Sequence, residues 1–180
     1  KLDTSFDFWL LKYDAQNNIQ WQKTYGGSLD ERGRNIIQTQ DGGFAIIGSS
    51  QSTDGDLTDN NGGQDFWLAK LDAQGNIEWQ EVFGFSGNDT GISVLQTSDL
   101  GYLLTGVLDV TASGGQGNTG RVLERHAGGY YWAIKVDSSG SLEWSRYFGE
   151  NFTDTPEGAV ESEQGDFIIA GGSDSAVTDI

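Results

Sequence analysis

The sequence predicts an all-β fold of repeated four-stranded antiparallel meanders. Three observations carry that expectation: a residue pattern recurring at two fixed offsets, short apolar runs divided by turn residues, and a composition rich in glycine and aromatics. The 180 residues suit one compact repeat domain. Twenty-seven glycines accompany a single proline, which suits neither collagen nor a proline-rich linker. Six Trp, six Tyr and nine Phe supply far more aromatic surface than a disordered acidic chain carries.

The repeat is found by laying the chain on itself. Its first copy reads Asp7-Phe8-Trp9-Leu10-Leu11-Lys12-Tyr13-Asp14, then Ile19-Gln20-Trp21 and Tyr25-Gly26. The second reads Asp65-Phe66-Trp67-Leu68-Ala69-Lys70-Leu71-Asp72, then Ile77-Glu78-Trp79 and Phe83-Gly84. The third reads Tyr131-Trp132-Ala133-Ile134-Lys135-Val136-Asp137, then Leu142-Glu143-Trp144 and Phe148-Gly149. Trp9 to Trp67 and Trp21 to Trp79 are both 58 residues; Trp67 to Trp132 and Trp79 to Trp144 are both 65. The same offsets place Phe44 on Tyr102 and Phe167, and Gly48 on Gly106 and Gly171.

Within the first copy the apolar runs 8–14, 19–25, 35–40 and 44–50 read as four strands. The Gln-Gly-Asn and Asp-Gly-Gly sites supply the left-handed backbone that tight hairpins need. Ser28-Leu29-Asp30-Glu31 fits a capping box, but Gly33 follows too soon for more than a turn or one helical turn. Four strands per unit is the grammar of a β-propeller blade, giving blade 1 over 1–58, blade 2 over 59–123 with a long loop at 107–129, and blade 3 over 124–180. The first strand is apolar on both faces, as an inner strand packed between neighbouring blades would be. The paired tryptophans would fill the wedges between sheets.

These motifs carry a resemblance. Asp-Phe-Trp-x-x-Lys-x-Asp, Gly-Asn-Ile-x-Trp, Asp-Gly-Gly-Phe and Ser-Thr-Asp-Gly-Asp-Leu are similar to repeats in large secreted bacterial surface proteins. Many of those proteins carry type IX secretion sorting domains. The resemblance covers the whole chain and implies propeller-like repeats and an extracellular or cell-surface location. It says little about activity. The third copy departs most: Tyr130 stands where the Asp would be, Gln164-Gly165-Asp166 replaces Asp-Gly-Gly, and 174–179 matches the Asp-Gly-Asp loop only loosely.

Propellers have 4–8 blades, and three are present. The chain begins and ends at nearly the same phase of the repeat. Either it is a window of a longer propeller, which the missing methionine favours, or two copies assemble into a six-bladed ring. The expected partners are therefore further blades, from the same parent chain or another copy, together with protein or glycan surfaces.

A net charge of −17 repels phosphate backbones, so nucleic acid is not an expected partner. No apolar run approaches the ~20 residues of a membrane helix, and membrane insertion is not expected. Without cysteine there are no disulfides and no thiolate metal sites. No cofactor is expected, with calcium as a minority reading. The loop Asp54-Gly55-Asp56-Leu57-Thr58-Asp59-Asn60 offers Asp54, Asp56, Asp59 and Asn60 as oxygen ligands, against a plain Asx-turn connection between blades.

Lys12, Lys70 and Lys135 share one repeat position, each two residues before an acid (Asp14, Asp72, Asp137). They read either as cations lining an anion channel or, better, as Lys–Asp pairs that fix blade packing. The long loop holds the only histidine, His126, near Arg121, Glu124 and Arg125, a candidate ligand or partner contact. Neither a Gly-x-Ser-x-Gly elbow nor a phosphate loop appears, and no catalytic residues are assigned. The leading expectation is a non-enzymatic extracellular scaffold or adhesion module. A carbohydrate-binding propeller comes second, and part of a secreted hydrolase third.

Overall fold

A computed structural model describes residues 4–110, 112, 114, 129–148 and 154–173. Among them are twelve strands and no helix. In chain order these are β1 (Phe8–Tyr13), β2 (Ile19–Tyr25), β3 (Glu31–Gln38), β4 (Phe44–Ser50), β5 (Asp65–Leu71) and β6 (Ile77–Phe83). They continue as β7 (Thr90–Gln96), β8 (Tyr102–Asp109), β9 (Gly129–Val136), β10 (Leu142–Phe148), β11 (Asp154–Glu161) and β12 (Phe167–Ser173). No helix among the described residues is long and apolar enough to cross a membrane.

The sheets are antiparallel meanders, but their phase differs from the expected one. β3-β4-β5-β6 and β7-β8-β9-β10 each form a four-stranded sheet, while β1-β2 and β11-β12 are two-stranded. Three four-stranded units over 1–58, 59–123 and 124–180 are therefore not what the strands build. Each four-stranded sheet straddles a boundary between sequence units. The reason is a reversal of which connections stay inside a sheet. The long segment 51–64 joins β4 to β5 within one sheet, with a continuous register from Phe44↔Leu71 to Ser50↔Asp65. The short segment 26–30 instead carries the chain from β2 into the next sheet.

The hairpin turns follow the sequence closely. Asn17, Gly75 and Gly140 occupy one repeat position and share φ values of 65°, 75° and 89°. Gly42, Leu100 and Gly165 occupy the other, at 85°, 70° and 84°. Glu31 begins a strand rather than closing a helical turn, so β3 starts four residues earlier than its apolar residues suggest.

The sheets pack in chain order, with β7 against β3 and β4, and β11 against β7, β8 and β9. Two series of aromatic contacts join neighbouring sheets. Trp21–Phe44, Trp79–Tyr102 and Trp144–Phe167 have ring centroids 6.0, 5.7 and 6.0 Å apart. Phe8–Trp67 and Phe66–Trp132 lie at 4.4 and 4.9 Å. Each series repeats at the offsets of the sequence, so the same aromatic pair recurs at successive junctions, at separations where such rings attract. β5 is buried along its whole length, having strands on both edges and sheets on both faces.

Candidate functional sites

Two of the three repeat lysines, Lys70 and Lys135, are buried and paired, but not with their sequence neighbours. Lys70 Nζ lies 2.8 Å from Asp41 and 2.6 Å from Glu78; Lys135 Nζ lies 2.9 Å from Asp99 and 3.1 Å from Glu143. Each ammonium also donates to the carbonyl of the next residue, Leu71 or Val136. Burial works against the charge, yet the bonds to Asp41 and Glu78 carry Lys70 above the usual lysine value. Asp41 is held well below the carboxylate range by Lys70, then by the Thr39 hydroxyl. Asp99 falls to about 2 through the Thr97 hydroxyl, then Lys135. These bonds replace the expected Lys–Asp pairs.

Asp14, Asp72 and Asp137 instead close the hairpins as Asx turns. Asp14 accepts from the Gln16 and Asn18 amides, Asp72 from those of Gln74 and Asn76, and Asp137 from those of Ser139 and Ser141. Lys12 stands apart from the other two. Its ammonium donates to the Ala73 carbonyl at 3.4 Å and lies 5.6 Å from the Phe44 ring centre. The repeat puts Gln20 where Glu78 and Glu143 stand, which removes one acidic partner.

The acidic loop folds back on the segment that leaves β2. Asp54 accepts from the Ser28 amide at 2.7 Å, and Asp56 from the Gly26 amide at 3.0 Å. Asp59 accepts from the amide of Asn60, whose side chain donates to the Ser50 carbonyl. Among the described residues no three His, Asp or Glu side chains converge as a metal-holding group. The loop thus ties together the two ends of the β2–β3 crossing.

A second carboxylate position escaped the sequence reading. Glu31, Asp89 and Asp154 are repeat equivalents, and all three are buried where a sheet-edge strand (β3, β7 or β11) begins. Glu31 accepts from the Gly27 amide and the Ser50 hydroxyl, and Asp89 from the amides of Phe85 and Asp109. Gly27 and Phe85 are themselves repeat equivalents. The corresponding amide for Asp154 belongs to Glu150, outside the described residues. Burial pushes Asp89 up to about 6 against its two amide donors, with the Asp65 and Asp109 carboxylates adding to the rise. Asp65 is raised for the same first reason. The missed signal was the offset pattern itself: an acid recurs in all three copies at Glu31, Asp89 and Asp154, and in two copies at Asp41 and Asp99 and at Glu78 and Glu143.

Arg121, Glu124, Arg125 and His126 lie outside the described residues. The expected interruption at 107–129 is shorter at its start, since β8 runs on to Asp109.

Two concave surfaces remain. A cleft of about 390 Å³ beside Lys70 is lined by Asp41, Glu78, Trp79 and Tyr102. A wider groove of about 680 Å³ runs between β1 and β3, lined by Phe8, Trp9, Leu11, Arg32, Ile36 and Ile46. It adjoins the edge of β1 that pairs with no described strand. No protein-family model and no curated protein matches the chain.

Proposed function

We propose that the chain is a non-enzymatic, extracellular scaffold or adhesion module of β-propeller-type blades, working through contacts with further blades and with protein or glycan surfaces. The observation that carries this reading is the recurrence of one aromatic pair at successive sheet junctions, which makes stacking the common task of the repeats. The repeat-borne charges support it. Lys70, Lys135, Asp54, Asp56 and Asp89 spend their bonding capacity on neighbouring strands and loops. A surface carrying −17 suits a protein kept soluble outside the cell, as does the resemblance to secreted surface repeats.

A carbohydrate-binding role is the second reading, favoured by the cleft that sets Trp79 and Tyr102 beside Asp41 and Glu78. A glycan array, run beside a panel of fluorogenic glycosides and esters, separates these roles. The scaffold reading expects no sugar-selective binding and no turnover. Selective binding lost in Trp79→Ala would install the lectin reading, and turnover above a heat-treated control would install the hydrolase.

A further inference from the structure

We infer that β12 of one copy adds, in a second copy, to the edge of β1 that pairs with no described strand, so that β11-β12 and β1-β2 complete a four-stranded sheet across two chains. The inference rests on the blade reading above and adds to it a specific partner and register.

Exposure gives the first argument. Trp9 is 62% exposed, whereas its repeat equivalents Trp67 and Trp132 are 0% and 3% exposed. Ile168 is 60% exposed, whereas its equivalent Leu103 is fully buried. Trp67 packs on Phe8 and Trp132 on Phe66 of the preceding sheet, whereas among the described residues no sheet precedes β1 or follows β12. Each of these two strands has one described partner where β4, β5, β8 and β9 have two. An apolar strand edge of this kind is a template for another strand.

Register gives the second. The β4–β5 junction pairs Ile46 with Ala69 and Gly48 with Trp67. The β8–β9 junction pairs Leu104 with Ile134 and Gly106 with Trp132. Carried forward by the repeat offsets, the same junction pairs Ile169 with Leu11 and Gly171 with Trp9. Both edges thus present the two halves of a junction that the chain already builds twice, glycine opposite tryptophan included.

Space and charge give the third. The groove of about 680 Å³ beside β1 lies where a β11–β12 hairpin would pack on β3, as β3 and β4 pack on β7. Arg32 and Arg34 line it, and β11 brings the exposed Glu157.

One chain cannot make this contact with itself. In the single chain β1 and β12 are not paired, and two four-stranded sheets lie between the β1-β2 and β11-β12 sheets in the packing order. Two copies satisfy both edges at once and give six four-stranded sheets, within the 4–8 range of closed propellers. Three copies would give nine.

The chain contains no cysteine, so engineered pairs report cleanly. Opposed strand residues place their Cα atoms ~4.5–5.5 Å apart, within disulfide reach. The 180-residue chain is expected to run at twice its monomer mass in light scattering. Leu11→Cys mixed with Ile169→Cys should give a disulfide-linked pair at least tenfold faster than Leu11→Cys mixed with Ile168→Cys, whose side chain points to the other face. Ile168→Asp, at a site open in the single chain, should yield monomer with an unchanged circular dichroism spectrum. A monomeric wild-type chain at 100 μM, or equal trapping by the two cysteine mixtures, overturns the inference. Neither result touches the scaffold reading, which fails instead on glycan selectivity or turnover.

Discussion

At the scale of single residues the chain spends charge on architecture. Lys70 is buried among groups that hold its ammonium from three sides, while Asp41 and Glu78 keep about half their side-chain surface in water. Replacing Lys70 with Met keeps the stem and frees those acids to rehydrate, so the cost is set by lost charge-assisted bonds alone. Chemical denaturation should show a loss of about 1–2 kcal/mol for Lys70→Met, and under ~0.5 kcal/mol for Lys12→Met, whose ammonium meets no acid among the described residues. Asp89 acts in the opposite direction. Its folded value of about 6 exceeds the ~3.9 of an unfolded chain, so the folded state binds the extra proton between those limits. Its contribution therefore favours folding below that window and declines as pH rises through about 4 to 6. Asp41 and Asp99 are depressed, and what they contribute is lost as pH falls below ~3.9. Thermal melts should give a higher Tm at pH 5 than at pH 7.5, and Asp89→Asn should shrink that difference. An unchanged difference in the variant would remove Asp89 from the explanation.

At the scale of elements, the turns show how local rules and the repeat interact. Gly42 and Gly165 meet the left-handed backbone at no steric cost, but Leu100 holds the same position at φ 70° with a bulky side chain. It is also about half exposed, so little packing is lost with it. Leu100→Gly is expected to stabilise the fold by about 0.5–1 kcal/mol in urea unfolding, against an expected loss for Gly42→Leu. The strands themselves were legible: the runs 8–14, 19–25 and 44–50 coincide with β1, β2 and β4 to within a residue. The start of β3 was not, because Glu31, Arg32 and Arg34 carry no apolar pattern. That segment is held instead by Glu31's bonds to Gly27 and Ser50 and by cross-strand pairing to β4.

At the scale of the whole molecule, the offsets of 58 and 65 made the repeat and its tryptophan wedges readable from sequence. A period does not say where a unit begins, however. Whether a sheet is β1 to β4 or β3 to β6 depends on which connections turn back into the same sheet. Length pointed the wrong way, since the 14-residue segment 51–64 returns within a sheet by tying itself to residues 26–28. The acidic loop was visible in the sequence through its spacing, with a cation loop and an Asx-turn connection as its two readings. Its Asp-x-Asp spacing resembles a cation loop, while its oxygens face the backbone amides of Gly26 and Ser28. The partners of Lys70 and Lys135 sit on a neighbouring strand (Glu78, Glu143) and in a hairpin turn (Asp41, Asp99), beyond the reach of a reading confined to one strand at a time.

The central claim is that four-stranded sheets straddle the sequence units and stack through recurring aromatic pairs. Cross-strand proton contacts measured by NMR test it directly. The structure predicts contacts between Ile46 and Ala69 and between Leu104 and Ile134, with none joining β2 to β3 as paired strands. Ladder contacts between β2 and β3, with β4 and β5 unpaired, would contradict it.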